Sequence, residues 1–410
     1  MPASHAERAT PLPRTIWALG FVSMFMDMSS ELVHSLLPLL MVSVLGASMV
    51  TVGFIEGVAE ATASVSKLFS GALSDYIRQR KRLVVLGYGL AALSKLLFPL
   101  ATSLWWIFGA RFADRIGKGV RDAPRDALIA DIVPGHRRGA AYGLRQALDT
   151  VGAVAGPSLA LLLTLWFSSS IQSALWVAVI PAGLAMGVLL VAVSEPKAKH
   201  AVGPRTRLGW SDVRRLPRSY WQVVSLGAVF TLARFSEAFL ILRARDLGVS
   251  DAQAPSIMIA MNVVYAVAAY PAGARSDRGS PRGFLLAGLG VLVAADVVLA
   301  WAASPALAFI GAGLWGLHMA LTQGLLSKLV ADAAPAGLRG TGFGIFNLAS
   351  GVALLLASVI AGAGWGRFGP AATFGAGAVF AAIAAVGLLL TAPGAPPPAP
   401  AATRGTPRPS

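Results

Sequence analysis

The chain has 410 residues, 56% of them hydrophobic and only 13% charged, with a mean hydropathy of +0.68, far from a soluble globular average. Apolar stretches long enough to cross a bilayer recur from Trp17 to Leu390, which indicates a polytopic helical membrane protein and excludes the short alternating segments of a β-barrel. The net charge of +15 is spread over short loops, so it points to topology rather than nucleic-acid binding, and the lack of cysteine excludes disulfides and thiolate chemistry.

The elements expected in chain order begin with a polar cytoplasmic tail, 1–14, which has no signal-peptide character. Six spans follow at about 15–44, 51–74, 83–101, 104–132, 139–167 and 172–194. The longest polar stretch, Glu195–Ser219, forms a central loop over 195–220. Six more spans are expected at about 221–247, 253–275, 283–302, 305–332, 340–363 and 371–393. The Pro/Ala-rich tail, 394–410, reads as disordered. The fold class is therefore all-α, with twelve transmembrane helices in two six-helix bundles, 15–194 and 221–393.

Loop charge orients the chain. IRQRKR at Ile77–Arg82, Arg137 and Arg138, the central loop, Arg275, Arg278, Arg282 and Arg339 fall on one side. The alternate loops GASMV, ATSL, SSSIQS and ASPA carry no Lys or Arg. The positive-inside rule then places both termini in the cytoplasm of a bacterial inner or plasma membrane.

The halves repeat one another. GALSD at Gly71–Asp75 returns as GARSD at Gly273–Asp277, LIAD at Leu128 as LVAD at Leu329, and RRGAAYG at Arg137 as LRGTGFG at Leu338. These pairs keep an offset of 201–202 residues, as do LGYG at Leu86 with AGLG at Ala287 and FGA at Phe108 with IGA at Ile310. Pseudo-symmetric bundles about an axis along the membrane normal follow.

GALSDYIRQRKR resembles the signature loop of the major facilitator superfamily. Gly71, Leu73 and Asp75 match, and the basic cluster Arg78, Arg80, Lys81, Arg82 follows. Tyr76 stands where Arg is usual and Arg78 where Gly is usual. Gly273 and Asp277 repeat the pattern. The resemblance implies alternating access around a central cavity lined by spans one, four, seven and ten, with this loop latching one conformation. In span five, Gly143, Gly152, Gly156 and Pro157 resemble the antiporter motif of proton-coupled drug exporters, with Ala160 and Leu161 replacing its usual Gly-Gly. The same residues also read simply as close-packing positions with a bend at Pro157.

Charges inside the spans carry the candidate chemistry, because each costs about 2.5–3.5 kcal/mol on insertion scales. Asp27, Glu31 and His34 share a face of span one, and Glu56, Glu60 and Lys67 a face of span two. Span four holds Arg111, Arg115, Lys118, Asp122 and Arg125 in one stripe, the expected counterpart of Asp27 and Glu31. Arg234 and Glu237 are the main charges of the second half. These side chains form the candidate proton-coupling or substrate-binding set: Asp27, Glu31, His34, Glu56, Glu60, Arg111, Arg115, Arg234 and Glu237. Arg121, Arg125, Asp126 and Asp131 read as structural ion pairs near the cytoplasmic end. His34 could shuttle protons or only hydrogen-bond across to another helix.

Met24, Met26 and Met28 alternate around their helix, so no metal site is expected. No phosphate-binding loop is present, and neither a nucleophile–base pair nor a cofactor motif stands out. The expected function is secondary transport by a monomer in the lipid bilayer, driven by the proton gradient, with a small organic molecule as substrate and efflux as direction. Import of an anionic or zwitterionic solute is the alternative within transport. A non-transporting receptor or assembly factor is the alternative outside it.

Overall fold

A computed structural model describes residues 12–77, 79–134, 137–167, 170–194, 216–276, 280–335 and 339–390. The described residues form fourteen α-helices and no strand. They are α1 (Arg14–Leu39), α2 (Met49–Ile77), α3 (Arg80–Leu97), α4 (Leu104–Ile132), α5 (Arg138–Phe167), α6 (Ile171–Val177) and α7 (Val179–Ala192) in the first half. The second half holds α8 (Arg218–Leu232), α9 (Ala238–Asp246), α10 (Ser256–Ser276), α11 (Pro281–Ala300), α12 (Pro305–Ala333), α13 (Arg339–Phe368) and α14 (Pro370–Leu390). They make twelve spans, because α6 with α7 forms span six and α8 with α9 forms span seven.

Seven spans are long and apolar enough to cross a membrane by length and composition alone, among them Arg14–Val44, Ala140–Trp166 and Gly342–Phe368. Spans two and four fail that simple test because they carry the charges, and the structure packs them against each other. Each thereby turns its polar face toward protein rather than lipid, as a charge in hydrocarbon requires.

The pairings inside the halves mirror each other. In the first half α1 packs on α5 and α7, α4 on α2 and α3, and α3 on α7. In the second half α8 packs on α13 and α14, α12 on α10 and α11, and α11 on α14. The internal repeat of the sequence is thus a repeat of packing. The halves meet where α2 packs along α13 and where α5 packs on α10.

Glycine makes the α2–α13 seam close. A Cβ built on Gly53 falls 2.1 Å from the Ser358 carbonyl oxygen, and one on Gly362 falls 2.3 Å from that of Met49. Small residues let helix backbones approach in a membrane, where no hydrophobic effect drives them together.

An even number of spans puts Arg14 and Leu390 at one end of the bundle, the near end. At the far end, Gly46, Gly248 and Gly369 adopt φ values of 67°, 94° and 81° in three of the connections, a region only glycine enters freely. There the halves are also joined by Thr164 Oγ1 donating to the Ala252 carbonyl at 2.7 Å. Nearer the middle, Asn262 Nδ2 donates to the Ala153 carbonyl at 2.9 Å.

Besides the join of α6 and α7, two spans are irregular among the described residues. Span one ends in a π-helical turn, Leu40–Val44, just beyond Pro38. Pro38 lacks the N–H that would pair with the His34 carbonyl four residues earlier. Span seven, expected as one helix over 221–247, is broken between Leu232 and Ala238. The Ser236 N–H donates to Ser358 Oγ at 3.1 Å, and the Ala238 N–H to Ser236 Oγ at 3.3 Å, so side chains replace the missing helical bonds.

Candidate functional site

Three helices bring the charges of the first half together. Arg111 on α4 donates from Nη2 to Glu56 Oε2 on α2 at 2.7 Å, with both side chains 1% exposed. Arg115, one turn further along α4, lies 3.3 Å from Glu60, one turn further along α2. The i, i+4 spacing on both helices produces this ladder, because residues four apart share a face.

The expected pairing of Asp27 and Glu31 with Arg111 and Arg115 is therefore corrected. The two arginines are occupied by Glu56 and Glu60. Glu31 instead approaches His34 Nδ1 at 3.6 Å on its own helix, and Asp27 lies 3.7 Å from Arg121. His34 Nε2 stands 3.9 Å from Glu56 Oε2, so the polar face of span one meets span two at His34 and span four at Asp27.

Asp114 and Lys95 form a second buried unit. Lys95 Nζ donates to Asp114 Oδ1 at 2.6 Å and to Ser30 Oγ at 3.1 Å, joining α3, α4 and α1. The other Asp114 oxygen lies 3.8 Å from Arg111 and 3.6 Å from Arg115. Lys95 was not among the residues singled out from the sequence. A lone lysine in a short apolar helix carries no periodic signal, and only its burial and its partner reveal it.

Toward the near end the charges form a clasp. Arg125 bonds Asp126, Ser23 and Tyr88, while Arg121 lies over the Tyr88 ring at 4.6 Å. Arg145 pairs with Asp149 and approaches Asp126. These contacts tie α1, α3, α4 and α5 together, the structural pairing expected of Arg121, Arg125 and Asp126. Asp131 pairs with Arg80 at 3.1 Å.

Exposure is graded along these helices. Glu56 and Arg111 are sealed, Glu60 is 30% exposed, Glu31 26% and Asp27 29%, each rise being toward the near end. Asp122, Asp126 and Asp131 follow the same trend along α4. The acids thus become more exposed toward the near end, with arginines buried behind them. Lys118 stands among four of these carboxylates, Asp27, Glu31, Glu60 and Asp122, and acts on all of them electrostatically.

In the second half, Arg234 and Glu237 both lie at the break in span seven, half-buried and without an ion pair among the described residues. Sequence reasoning placed them on a helix. The break itself carries no Gly or Pro, so nothing in the residue pattern announces it. Broken helices are where many transporters build binding sites. Asp296 on α11 was also missed, and it is fully buried with no hydrogen-bond partner among the described residues.

The glycines of span five divide. A Cβ built on Gly152 falls 2.4 Å from the Met24 carbonyl oxygen and 3.1 Å from Asp27 Cβ. One built on Gly156 falls 2.6 Å from the Met28 carbonyl oxygen and 2.8 Å from Glu31 Cβ. These two glycines seat α5 directly behind Asp27 and Glu31. Gly143 has open space around it, and Pro157 is buried within α5. Of the latch residues, Gly71 faces Ala123, whose Cβ lies 3.5 Å from a Cβ built on the glycine, and Arg82 is exposed. Arg78 and Asp277 lie outside the described residues, as do the side chain of Asp75 and the surroundings of Gly273.

A family model described as Major Facilitator Superfamily matches residues 19–242 and 223–410. An uncharacterized MFS-type transporter of Methanocaldococcus jannaschii is 33% identical over 392 residues, covering 94% of this chain and 96% of the relative. The class C tetracycline resistance protein of Escherichia coli is 26% identical over 308 residues, covering 71% of this chain and 74% of that protein. Among solved structures, a bacterial homolog of the human lysosomal transporter Spinster superposes with a TM-score of 0.70 at 16% identity. It covers 93% of this chain and 97% of that one.

Proposed function

The chain belongs to the major facilitator superfamily, a family of membrane transporters rather than enzymes, and from that premise we propose that it exports a small organic molecule in exchange for protons. The graded exposure of the acids carries this reading. Asp27, Glu31 and Glu60 are reachable from the near end, yet each is opposed by a buried cation or by His34. A carboxylate held between water and a cation can take up a proton in one conformation and yield it in another when its partner moves.

The near end is the cytoplasmic face of a bacterial inner or plasma membrane in this reading, and the protein works as a monomer. Efflux is supported by the tetracycline resistance in the name of one relative, a property that removal of the drug from the cell would confer, and by Gly152 and Gly156, which seat span five against the two acids of span one. The test is uptake by everted membrane vesicles with an acidified interior, using a solute panel that includes tetracycline. Uptake that a protonophore abolishes supports the reading. A panel with no gradient-dependent uptake refutes it.

Import of an anionic or zwitterionic solute is the second reading. It is favoured by Arg234, a cation at the break in span seven that holds no ion pair among the described residues.

A further inference from the structure

We propose that Glu31, His34 and Glu56 form a proton relay whose last acceptor is Glu56 and whose output is the release of Arg111; the proposal rests on the proton-coupled reading above. Exposure falls along the chain of side chains, from 26% at Glu31 to 10% at His34 and 1% at Glu56. The successive gaps are 3.6 Å and 3.9 Å, and Glu56 then accepts from Arg111 at 2.7 Å. His34 Nε2 is buried with no hydrogen-bond partner, and so is Glu56 Oε1, the carboxylate oxygen that Arg111 leaves free, so both groups have unused capacity.

The transfer balances as follows. Glu31, 26% exposed, takes one proton from water and passes it to His34 Nδ1. The imidazolium releases its Nε2 proton to the Glu56 carboxylate, whose Oε1 is free to take it. One proton has entered the site, Glu56 is neutral, and His34 is left with its proton on Nδ1. Exchange of that proton to Nε2 resets the ring. Both gaps are longer than a hydrogen bond, so a carboxyl rotation or a bridging water closes them.

The groups around His34 fit this role. Glu31 faces it from α1, Glu56 and Glu60 from α2, Arg111 from α4 and Glu237 from the break in span seven. Acids therefore predominate around the ring.

Neutral Glu56 would leave Arg111 without its counter-charge. Nε and Nη1 of Arg111 already lack hydrogen-bond partners. The next acid, Asp114, is 3.8 Å away and held by Lys95. Arg111 must move, and α2 cannot absorb the change quietly. Glu56 lies between Gly53 and Gly57, whose built Cβ atoms fall 2.1 Å from the Ser358 oxygen and 2.9 Å from Leu355 Cδ1. A local shift of α2 is thus transmitted to α13 in the other half.

The test is the charge displaced by an acid pulse on a solid-supported membrane carrying the full-length protein, with no solute present. The wild type gives a transient current. Glu56→Gln reduces the displaced charge by about tenfold or more, whereas Glu31→Gln and His34→Asn slow it by a similar factor and keep its total. The double variant Glu56→Gln with Arg111→Met, which buries no unpaired cation, loses the charge equally and controls for misfolding. Full displaced charge in Glu56→Gln or in the double variant overturns the relay alone. A wild type without any transient overturns the proton-coupled reading itself.

Discussion

Arg111 reaches Glu56 from the neighbouring helix at 2.7 Å, and neither side chain touches solvent. The pair stands at the sealed end of the exposure gradient and beside the seam between the two halves. Two charges buried in this way are tolerable only together, because the attraction between them offsets the desolvation of each.

Removing one member strands the other. Arg111→Met is expected to destabilise the protein by about 3–5 kcal/mol, and Arg111→Met with Glu56→Gln by clearly less. Thermal unfolding of the purified protein in one detergent checks this. Equal losses in the single and double variants would mean that the two charges are not energetically coupled.

Lys95 holds Asp114 away from the arginines. Lys95→Met frees that carboxylate to compete with Glu56 and Glu60 for Arg111 and Arg115, now 3.8 Å and 3.6 Å from it. The expected outcome is a lowered melting temperature together with impaired transport. Lys95→Met with Asp114→Asn recovers both in part. No recovery would place Lys95 outside the network.

The span-five glycines separate packing from coincidence. Gly156→Ala pushes a methyl group into the α1 backbone and should cost about 1–3 kcal/mol as overpacking. Gly143→Ala meets nothing within 4 Å and should stabilise α5 by up to about 1 kcal/mol through helix propensity. Melting temperatures that shift in opposite directions bear this out, and equal shifts do not.

The break in span seven depends on Ser358. Ser358→Ala leaves the Ser236 N–H buried and unpaired, a loss of about 1–3 kcal/mol. Ser158→Ala is the control, since that hydroxyl only bonds the Val154 carbonyl of its own helix. Hydrogen exchange at residues 233–237 should rise in Ser358→Ala alone. Unchanged exchange would show that the break holds itself.

The twelve spans and the repeat were legible because length, hydropathy and a constant offset are local or periodic signals. The faces of spans one, two and four were legible for the same reason. Helical spacing says which way Arg111 points but not which neighbour it meets, so Glu56 rather than Glu31 emerges only from packing. Lys95 and Asp296 are single polar residues in apolar helices and have no pattern to betray them. The break at Phe235–Glu237 lacks Gly and Pro, and its missing helical bonds are replaced by Ser236 and by a serine more than a hundred residues away.

The central claim is that proton movement through the partly exposed acids of spans one and two drives solute movement. Proteoliposomes loaded with a pH-sensitive dye test it most directly, with an imposed pH gradient and a solute panel led by tetracycline. The account predicts that one or more solutes collapse the gradient with wild-type protein, and that the collapse is lost in Asp27→Asn with Glu31→Gln. Solute transport that proceeds at the wild-type rate in that double variant, with the gradient still dissipating, would contradict it.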